Sequence, residues 1–285
     1  MPEGDTIFRA ARTLHRALAG RQVTRFETVL PQLSRTDHDT PIAGRTITEV
    51  ASRGKWLLMH FSGDLILLTH MLMSGSWHIY RPGEPWRRPR PDMRILIATA
   101  DILAVAFRVP VAEFHDAASL ARRGGFNQLG HDLLTHDFDE REARGSLRAR
   151  PDLEIGVALL TQSVVAGMGN VYKSEVCFAA RVNPFTRVAA LTDSQLDALI
   201  ANARKFMLAN VTDQSGDQIV TYSGFRRTTR RADPSQRLWV YKRAAQPCRR
   251  CGTPIQVRKQ GPDARVTFWC PECQRPATGN QSLDF

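Results

Sequence analysis

Apolar residues follow a helical spacing at the start of the chain and a strand-like spacing after it. In residues 6–19 the apolar positions recur every three or four residues and Gly20 ends the pattern, which predicts one amphipathic helix. The following segment, 22–114, instead contains short apolar runs separated by Gly, Pro and Asp, at 56–61, 65–68, 77–80, 93–98 and 102–107. Such short, closely spaced strands are typical of a sandwich or barrel. We predict an N-terminal antiparallel β-sandwich with a leading helix over residues 1–130.

The second half of the chain has mainly helical patterns. Residues 153–165 and 171–181 are predicted as two helices joined by a short link, and a third helix, 192–209, begins at a Thr192-Asp193 cap. Residues 238–241 are predicted as a strand. The predicted fold class is therefore α+β multidomain, with the sandwich followed by a charged hinge at 131–152, a helical domain at 153–236, a metal-binding hairpin at 237–275 and a tail at 276–285.

Four of the five cysteines are spaced as zinc ligands. Cys248 and Cys251 are separated by two residues, eighteen residues follow, and Cys270 and Cys273 repeat the close pair. All eight histidines precede Cys248, so we expect one structural Zn²⁺ held by four thiolates rather than a catalytic ion. Two short strands, 255–257 and 266–269, are predicted between the pairs. The fifth cysteine, Cys177, lies in an apolar helix and is predicted to be a buried small hydrophobic residue.

Positive charge is concentrated beside these cysteines. The chain of 285 residues has a formal net charge of +11. Residues 222–285 hold 13 Lys or Arg and 4 Asp or Glu, whereas residues 1–221 hold 26 and 24. This distribution favours a polyanion-binding face, with a merely solvated basic surface as the alternative. Charge alone does not distinguish DNA from RNA.

The apolar runs are too short for a membrane span, and the start of the chain, Met1-Pro2-Glu3-Gly4-Asp5, does not resemble a signal peptide. We expect a cytoplasmic protein, in a reducing compartment. Residues 81–91, which are rich in Pro and Arg, are predicted as a surface loop.

The link Gly167-Met168-Gly169-Asn170 precedes a predicted helix start. Its two glycines permit a sharp backbone path, and the first N–H groups of a helix attract anions. Asn170 is therefore a candidate phosphate contact, while a purely structural N-cap is the local alternative.

Taken together, these motifs resemble the formamidopyrimidine-DNA glycosylase and endonuclease VIII family. The similarity extends over nearly the whole chain and lies in the helix–two-turns–helix segment 167–175, the four-cysteine finger with Arg265 in its hairpin, and the Pro2-Glu3 start. The resemblance implies a bifunctional DNA glycosylase and abasic-site lyase of base excision repair, associated with the bacterial nucleoid. It also implies that Asn170 and Arg265 hold the phosphates beside the lesion.

The resemblance further implies that Pro2 is the nucleophile. Removal of Met1 would expose a secondary amine that attacks C1′ of the damaged nucleotide and leaves an iminium, which then promotes strand cleavage by β- and δ-elimination. Glu3 is the implied general acid/base. The local alternative is an ordinary chain start with a surface glutamate.

Two further residues have counterparts in the family. Lys55, between predicted strands in Arg53-Gly54-Lys55-Trp56, is the implied contact to the phosphate of the damaged nucleotide, with a solvated lysine as the alternative. Met73, in the segment His70–Gly75, is the implied wedge that fills the space of the flipped base, with core packing as the alternative.

Two departures from the family pattern concern specificity. Asp5-Thr6 replaces the usual Pro-Glu, so Thr6 stands where a family carboxylate is expected. The Asp-Pro-Arg-Arg-Phe-Gly stretch of the 8-oxoguanine-specific branch is also absent, since residues 106–110 read Ala-Phe-Arg-Val-Pro. The resemblance is therefore to the endonuclease VIII branch, which favours oxidised pyrimidines.

The expected partner is damaged double-stranded DNA, with single-stranded or bubble DNA also open, bound by a monomer that contacts no membrane. Three alternatives remain at this point: a non-catalytic zinc-ribbon DNA-binding protein, an abasic-site lyase without base excision, and an RNA-binding or translation-type module.

Overall fold

The computed structural model describes residues 2–212, 228–229, 233 and 236–276. These residues form two compact units: the first comprises the described residues 2–128, and the second comprises the described residues from 129 onward. The tail and much of the Arg-rich stretch 226–237 lie outside the described residues. In the described part of the chain, no helix combines the length and the apolar character that a membrane crossing requires.

The first unit is the predicted sandwich. Its helices are α1 (Gly4–Leu18), α2 (Pro31–Asp39) and α3 (Ala117–Arg122). Its strands are β1 (Arg25–Thr28), β2 (Ile47–Arg53), β3 (Trp56–Phe61), β4 (Leu65–His70), β5 (Ser76–Tyr80), β6 (Met93–Ala98), β7 (Leu103–Phe107) and β8 (Val111–His115). They form two four-stranded antiparallel sheets, β2-β3-β4-β8 and β1-β6-β7-β5. Strands of both sheets contribute to one apolar core.

The alternation along the strands explains this core. In β5, Trp77 and Ile79 belong to the core between the sheets, while Tyr80 belongs to a second apolar cluster with Phe107 of β7. Helix α1 adds the apolar stripe Ile7, Ala10, Ala11, Leu14 and Leu18 to the main core, as its spacing predicts. Helix α2 was not predicted, because it contributes only one buried residue, Leu33.

The second unit is mainly helical and ends in a hairpin. Its helices are α4 (Glu140–Arg148), α5 (Ile155–Ala158), α6 (Asn170–Ala179) and α7 (Asp193–Thr212). Two short parallel strands, β9 (His131–Asp132) and β10 (Val165–Ala166), precede the antiparallel hairpin of β11 (Gln256–Gln260) and β12 (Arg265–Trp269). At the start of α7, Thr192 Oγ1 accepts the N–H of Gln195, whose side chain accepts the N–H of Thr192. This reciprocal cap fixes the predicted start of the helix.

Two predictions of secondary structure in this unit are wrong. The helix expected over 153–165 ends at Ala158. Beyond it, side chains bond the backbone: Thr161 Oγ1 donates to the carbonyl of Val157, and Gln162 Nε2 donates to the carbonyl of Leu160. Such bonds compete with the helical hydrogen bonds. The described residues 238–241 do not form the expected strand, because the N–H groups of residues 239–241 donate to the carboxylate of Glu175 rather than to a neighbouring strand.

The range expected to be a hinge, 131–152, contains helix α4. Asp139 caps this helix by accepting the N–H groups of Arg141 and Glu142, and Ala143 and Leu147 are fully buried in the core of the second unit. The charge pattern suggested a linker because the buried face of α4 has so few apolar residues.

Candidate active site and nucleic-acid interface

The start of the chain is packed into the first unit. Pro2 is buried, and Glu3, the N-cap residue of α1, has no exposed surface. The carbonyl of Glu3 accepts the N–H groups of Thr6 and Ile7 at 2.9 and 3.1 Å, which anchors the chain start to the helix. The interpretation of Glu3 as an ordinary surface glutamate is therefore wrong. Glu3 is therefore a buried acidic side chain that directly follows Pro2 in the chain, and it remains the candidate acid/base group.

Lys55 lies on the two-residue turn between β2 and β3. Arg53 and Trp56 pair across this hairpin, and Gly54 takes a positive φ of 59° at the first turn position. Glycine adopts that backbone geometry without strain, so the turn is tight and holds Lys55 at the end of two paired strands. Lys55 is half-buried rather than fully solvated.

His70 stands beside Lys55 and was not singled out by the sequence. Trp56 and His70 are register partners in β3 and β4, with their rings edge to face at a centroid distance of 4.7 Å. Burial, followed by the positive charges of Lys55 and Arg123, lowers the pKa of His70 to about 4. Its Nδ1 lies 3.1 Å from the backbone N of Leu72 and accepts that N–H. The imidazole is therefore neutral near pH 7 and has Nε2–H as a donor.

The loop after β4 exposes two apolar side chains. Met73 is 66% exposed and Leu72 is 47% exposed, whereas Met71 is buried. The loop closes through the N–H of Gly75, which donates to the carbonyl of Met71; a Cβ on Gly75 would lie 2.6 Å from that oxygen. The alternative interpretation, in which Met73 packs in the core, is thus wrong. Leu72 is an additional exposed apolar residue at the candidate wedge.

Residues 107–109 lie where the 8-oxoguanine-specific branch has its Asp-Pro-Arg-Arg-Phe-Gly stretch. Unlike the loop with Leu72 and Met73, they expose no apolar side chain. Phe107 and Val109 are buried, and the Nε of Arg108 lies 2.8 Å from a carboxylate oxygen of Asp92. This segment therefore offers no exposed apolar side chain of its own.

In the second unit, Asn170 is the first residue of α6 and reaches the finger hairpin. Its Nδ2 donates to the carbonyl of Val266 at 2.7 Å. Val266 follows Arg265, the first residue of β12, whose side chain is half exposed and lies 3.8 Å from the carboxylate of Asp263. Asn170 is thus bonded to the residue that follows Arg265, so the two candidate residues lie close together at β12. One amide hydrogen of Asn170 is used in this bond within the protein.

The four predicted zinc ligands converge. All four Sγ atoms lie within 4.8 Å of one another, with 3.9 Å between Cys248 and Cys273 and 3.4 Å between Cys251 and Cys270. A zinc tetrahedron with Zn–S bonds of about 2.3 Å places its sulfurs about 3.8 Å apart, so the donor set fits Zn²⁺. Burial raises the pKa of Cys270 and Cys273, and a bound dication would offset the cost of holding their thiolates.

Backbone groups around the cysteines support this geometry. The N–H groups of Arg250 and Cys273 donate to the sulfurs of Cys248 and Cys270, each at 3.4 Å. Gln274, which is fully buried, accepts the N–H of Cys270 and donates to the carbonyl of Val182. The metal site is therefore tied directly to the helical part of the second unit.

Two buried charged residues of α6 were missed by the sequence analysis. The carboxylate of Glu175 accepts the N–H groups of Trp239, Val240 and Tyr241 at 2.8–2.9 Å, and the hydroxyl of Thr228 also donates to it. Burial raises the pKa of Glu175, while these donors act in the opposite direction. In the sequence, these residues are two charges between the apolar residues of a short helix. This pattern is equally typical of a solvated helix face, so it did not indicate that they are buried.

Lys173 is the second of these residues. Its Nζ donates to Thr267 Oγ1 at 2.5 Å and lies 3.4 Å from the carbonyl oxygen of Val266, and its side chain is fully buried. Lys173 and Asn170 therefore approach the same carbonyl group, next to Arg265. The pair sets the position of β12 relative to the start of α6.

Comparison with known proteins identifies the class. Three family models match in order: the formamidopyrimidine-DNA glycosylase N-terminal domain over residues 1–110, the formamidopyrimidine-DNA glycosylase H2TH domain over 129–221, and a zinc finger found in FPG and IleRS over 245–276. The chain belongs to the formamidopyrimidine-DNA glycosylase and endonuclease VIII family of base excision repair enzymes.

The similar proteins include members named endonuclease 8 and members named formamidopyrimidine-DNA glycosylase. A probable endonuclease 8 2 of Streptomyces coelicolor is 42% identical, covering 96% of this chain and 94% of the relative. A DNA-(apurinic or apyrimidinic site) lyase Nei2 of Mycolicibacterium smegmatis is 36% identical over 96% and 99% of the two chains. A Lactococcus lactis Fpg, solved with DNA containing an abasic site, has the same fold at a TM-score of 0.79 and 23% identity, covering 96% and 99%.

Proposed function

We propose that this chain excises oxidised pyrimidines from double-stranded DNA and then cleaves the strand, with Pro2 as the nucleophile. The observation that carries the proposal is the buried start of the first unit, where Pro2 precedes a glutamate with no exposed surface. Removal of Met1 would leave a secondary amine next to this acid. An α-amino group titrates at about 7.7–8.0 in reference peptides, so a neutral, nucleophilic fraction exists near neutral pH.

The reaction follows from the chemistry of that amine. The Pro2 nitrogen forms a bond to C1′ of the damaged nucleotide, the sugar–base bond breaks, and the base leaves with a proton delivered by an acid for which Glu3 is the candidate. The bound nitrogen then loses its proton and the C1′–O4′ bond breaks, with O4′ taking up a proton. The product is a ring-opened sugar with a positively charged iminium between Pro2 and C1′. This charge acidifies the C2′ hydrogen, so loss of that proton expels the 3′ phosphate, and a second elimination expels the 5′ phosphate.

The remaining candidate residues bind the DNA. Lys55 and the neutral His70 present an ammonium group and a ring N–H to one phosphate. This is supported by the pairing of Trp56, which follows Lys55, with His70, and by the effect of the Lys55 charge on the pKa of His70. Met73, with Leu72, fills the space that the extruded nucleotide leaves, because these two adjacent side chains are exposed and apolar. Asn170 and Arg265 hold flanking phosphates on the second unit, and Zn²⁺ keeps the Arg265 hairpin folded.

The preference for pyrimidines is supported by the closed segment 107–109, which lacks the stretch of the 8-oxoguanine branch, and by relatives named endonuclease 8. A panel of duplexes with single lesions tests it, using thymine glycol and dihydropyrimidines against 8-oxoguanine. Faster excision of 8-oxoguanine would refute the preference. The same panel in single-stranded and bubble form tests the choice of duplex DNA, and sedimentation in solution tests the expected monomer.

Borohydride trapping tests the nucleophile. The wild-type protein should form a covalent adduct with thymine-glycol DNA and with pre-formed abasic DNA, because borohydride reduces the iminium. Pro2→Gly should react more slowly but still trap, since a primary amine replaces the secondary one. An adduct on neither substrate would leave only a zinc-stabilised DNA-binding protein, and an adduct on abasic DNA alone would leave a lyase without excision.

Glu3→Gln separates the two steps. We expect this variant to lose base excision, because the amide cannot transfer a proton, and to retain trapping on abasic DNA. Glu49→Gln, at an exposed glutamate of the same unit, is the matched control and should behave as wild type. Base release by Glu3→Gln at the wild-type rate would remove Glu3 from the mechanism.

A further inference from the structure

A basic loop in the first unit has no part in the proposed reaction. Residues 81–90, which we call the arginine loop, connect β5 to β6 and contain four arginines and one glutamate. Residues 1–128 contain 17 Lys or Arg and 12 Asp or Glu in total. The loop therefore supplies three of the five net positive charges of this part of the chain within ten residues.

The arginine loop is held against the outer face of the sheet β1-β6-β7-β5. Trp86 stacks on Tyr80 at a centroid distance of 6.3 Å and lies edge-on to Phe107 at 5.5 Å. The backbone N–H of Arg87 donates to the hydroxyl of Tyr80 at 3.0 Å, and Arg90 covers Trp86 at 5.4 Å. These contacts anchor the loop on aromatic side chains of β5 and β7, so its guanidinium groups project from a fixed frame.

Three of these guanidinium groups have no protein partner in the described part of the chain. Arg81, Arg87 and Arg88 are exposed, and their side chains make neither an ion pair nor a hydrogen bond with any described residue. The only acidic side chain of the loop, Glu84, accepts the backbone N–H of Arg81. Nearby Arg108, in contrast, is paired with Asp92.

The charges act on their surroundings. Burial, followed by the positive charges of Arg88 and Arg87, lowers the pKa of His78 on β5 to about 4. Arg87 and Arg88 are neighbours in the chain and both act on this imidazole, so their like charges repel one another, and an anion bound to both relieves the repulsion. Planar guanidinium groups are also well suited to phosphate, which they bind in bidentate fashion.

We propose that the arginine loop binds the phosphate backbone of double-stranded DNA, as a contact additional to those that hold the lesion. The proposal rests on the proposed function, because a DNA repair enzyme works at high local concentrations of this polyanion. Sequence-independent phosphate contacts of this kind provide most of the non-specific affinity that keeps a protein on undamaged DNA. An acidic protein segment is the competing occupant and is an outcome of the test.

The experiment uses the full chain and an undamaged duplex. The double variant Arg87→Gln with Arg88→Gln is compared with wild type by measuring Kd at several salt concentrations. The slope of log Kd against log salt should fall by about two, since each phosphate that the protein neutralises contributes roughly 0.9 to the slope. Single-turnover excision on a short lesion duplex at saturating enzyme should be unchanged, because neither arginine belongs to the catalytic machinery.

The matched control removes the same charge elsewhere. Arg12→Gln with Arg16→Gln replaces two exposed arginines of α1 and should leave the slope as in wild type. Unfolding midpoints should agree for all three proteins, since the four side chains lie on the surface.

Three results would overturn the proposal: an unchanged slope in the double variant, an equal fall in the control, or a loss of binding to polyaspartate with an unchanged DNA slope. A wild-type protein that excises nothing, but whose slope still depends on Arg87 and Arg88, would refute the proposed reaction and leave this phosphate-binding role intact.

Discussion

The β-sandwich and the zinc finger are stabilised by different means. The sandwich has one large apolar core to which both sheets and α1 contribute. The finger region has a small cluster in which two of the zinc-site cysteines, Cys248 and Cys270, join four apolar side chains from α6, the 238–241 segment and the hairpin. Because so few apolar groups bury too little surface to fold the hairpin, the metal site and buried polar contacts must provide the rest.

This difference has a functional consequence. Apolar burial is non-directional, whereas hydrogen bonds fix individual atoms. In the finger region, Lys173 and Asn170 position the carbonyl beside Arg265, and Gln274 positions a zinc ligand. The polar region is thus the one that fixes the backbone beside Arg265, the side chain for which we propose a phosphate contact.

Removal of zinc should have the largest effect. Chelation should unfold residues 237–276 and abolish tight DNA binding, because structural Zn²⁺ contributes about 10–16 kcal/mol to such sites. The sandwich should stay folded, since its core contains no metal ligand. Hydrogen exchange measured separately for the two units checks this. Protection of the hairpin that survives chelation would contradict it.

A cavity in the sandwich should produce the opposite pattern. Leu14→Ala removes a fully buried side chain of α1 and should destabilise the first unit by about 2–5 kcal/mol. Zinc affinity should not change. Denaturant unfolding and a competition titration with a chelator measure the two quantities, and a weakened zinc site in this variant would show that the units are not independent in stability.

Glu175→Gln should destabilise the second unit. Each carboxylate oxygen of Glu175 accepts two hydrogen bonds. The amide nitrogen of Gln accepts none, so at least one buried backbone N–H loses its acceptor, at about 1–3 kcal/mol. Denaturant unfolding followed by hydrogen exchange at residues 239–241 checks this. Unchanged stability would show that the carboxyl group is protonated or replaceable.

Lys173→Met should change the position of Arg265 more than the folding stability of the second unit. Methionine fills similar space and removes a buried charge, which often costs little, but the hydrogen bond to Thr267 is removed as well. We expect a reduced contribution of Arg265 to DNA binding. A double-mutant cycle with Arg265→Ala measures this coupling, and strictly additive effects would exclude a positioning role for Lys173.

Arg265→Ala should have the smallest effect. The half-exposed arginine pairs with Asp263 at 3.8 Å, a long surface ion pair, so folding stability should not change measurably. The salt dependence of DNA binding should fall by about one phosphate's contribution. An unchanged salt slope would remove Arg265 from the phosphate-binding residues.

The apolar spacing and the cysteine pairs made most of the fold predictable. Helix α1, five of the strands and the finger hairpin follow from local periodicity, which survives folding because it selects the face that is buried. The shortness of helix α5 and the non-strand path of 238–241 could not be predicted, because Thr161, Gln162 and Glu175 redirect backbone hydrogen bonds. A side chain that takes over a backbone hydrogen bond of a strand or helix does not change the spacing of apolar residues, so the sequence pattern does not reveal it.

The sequence by itself determined the zinc ligands, the two-part organisation and the candidate residues Pro2, Glu3, Lys55, Asn170 and Arg265. Only the tertiary structure decided the surroundings of the other titratable side chains. It places His70 beside Lys55 and buries Lys173 and Glu175 inside the second unit. It leaves Arg87 and Arg88 exposed, without partners among the described residues. The physical reason is that a ligand spacing is local in the chain, whereas burial and electrostatic environment depend on residues far apart in sequence.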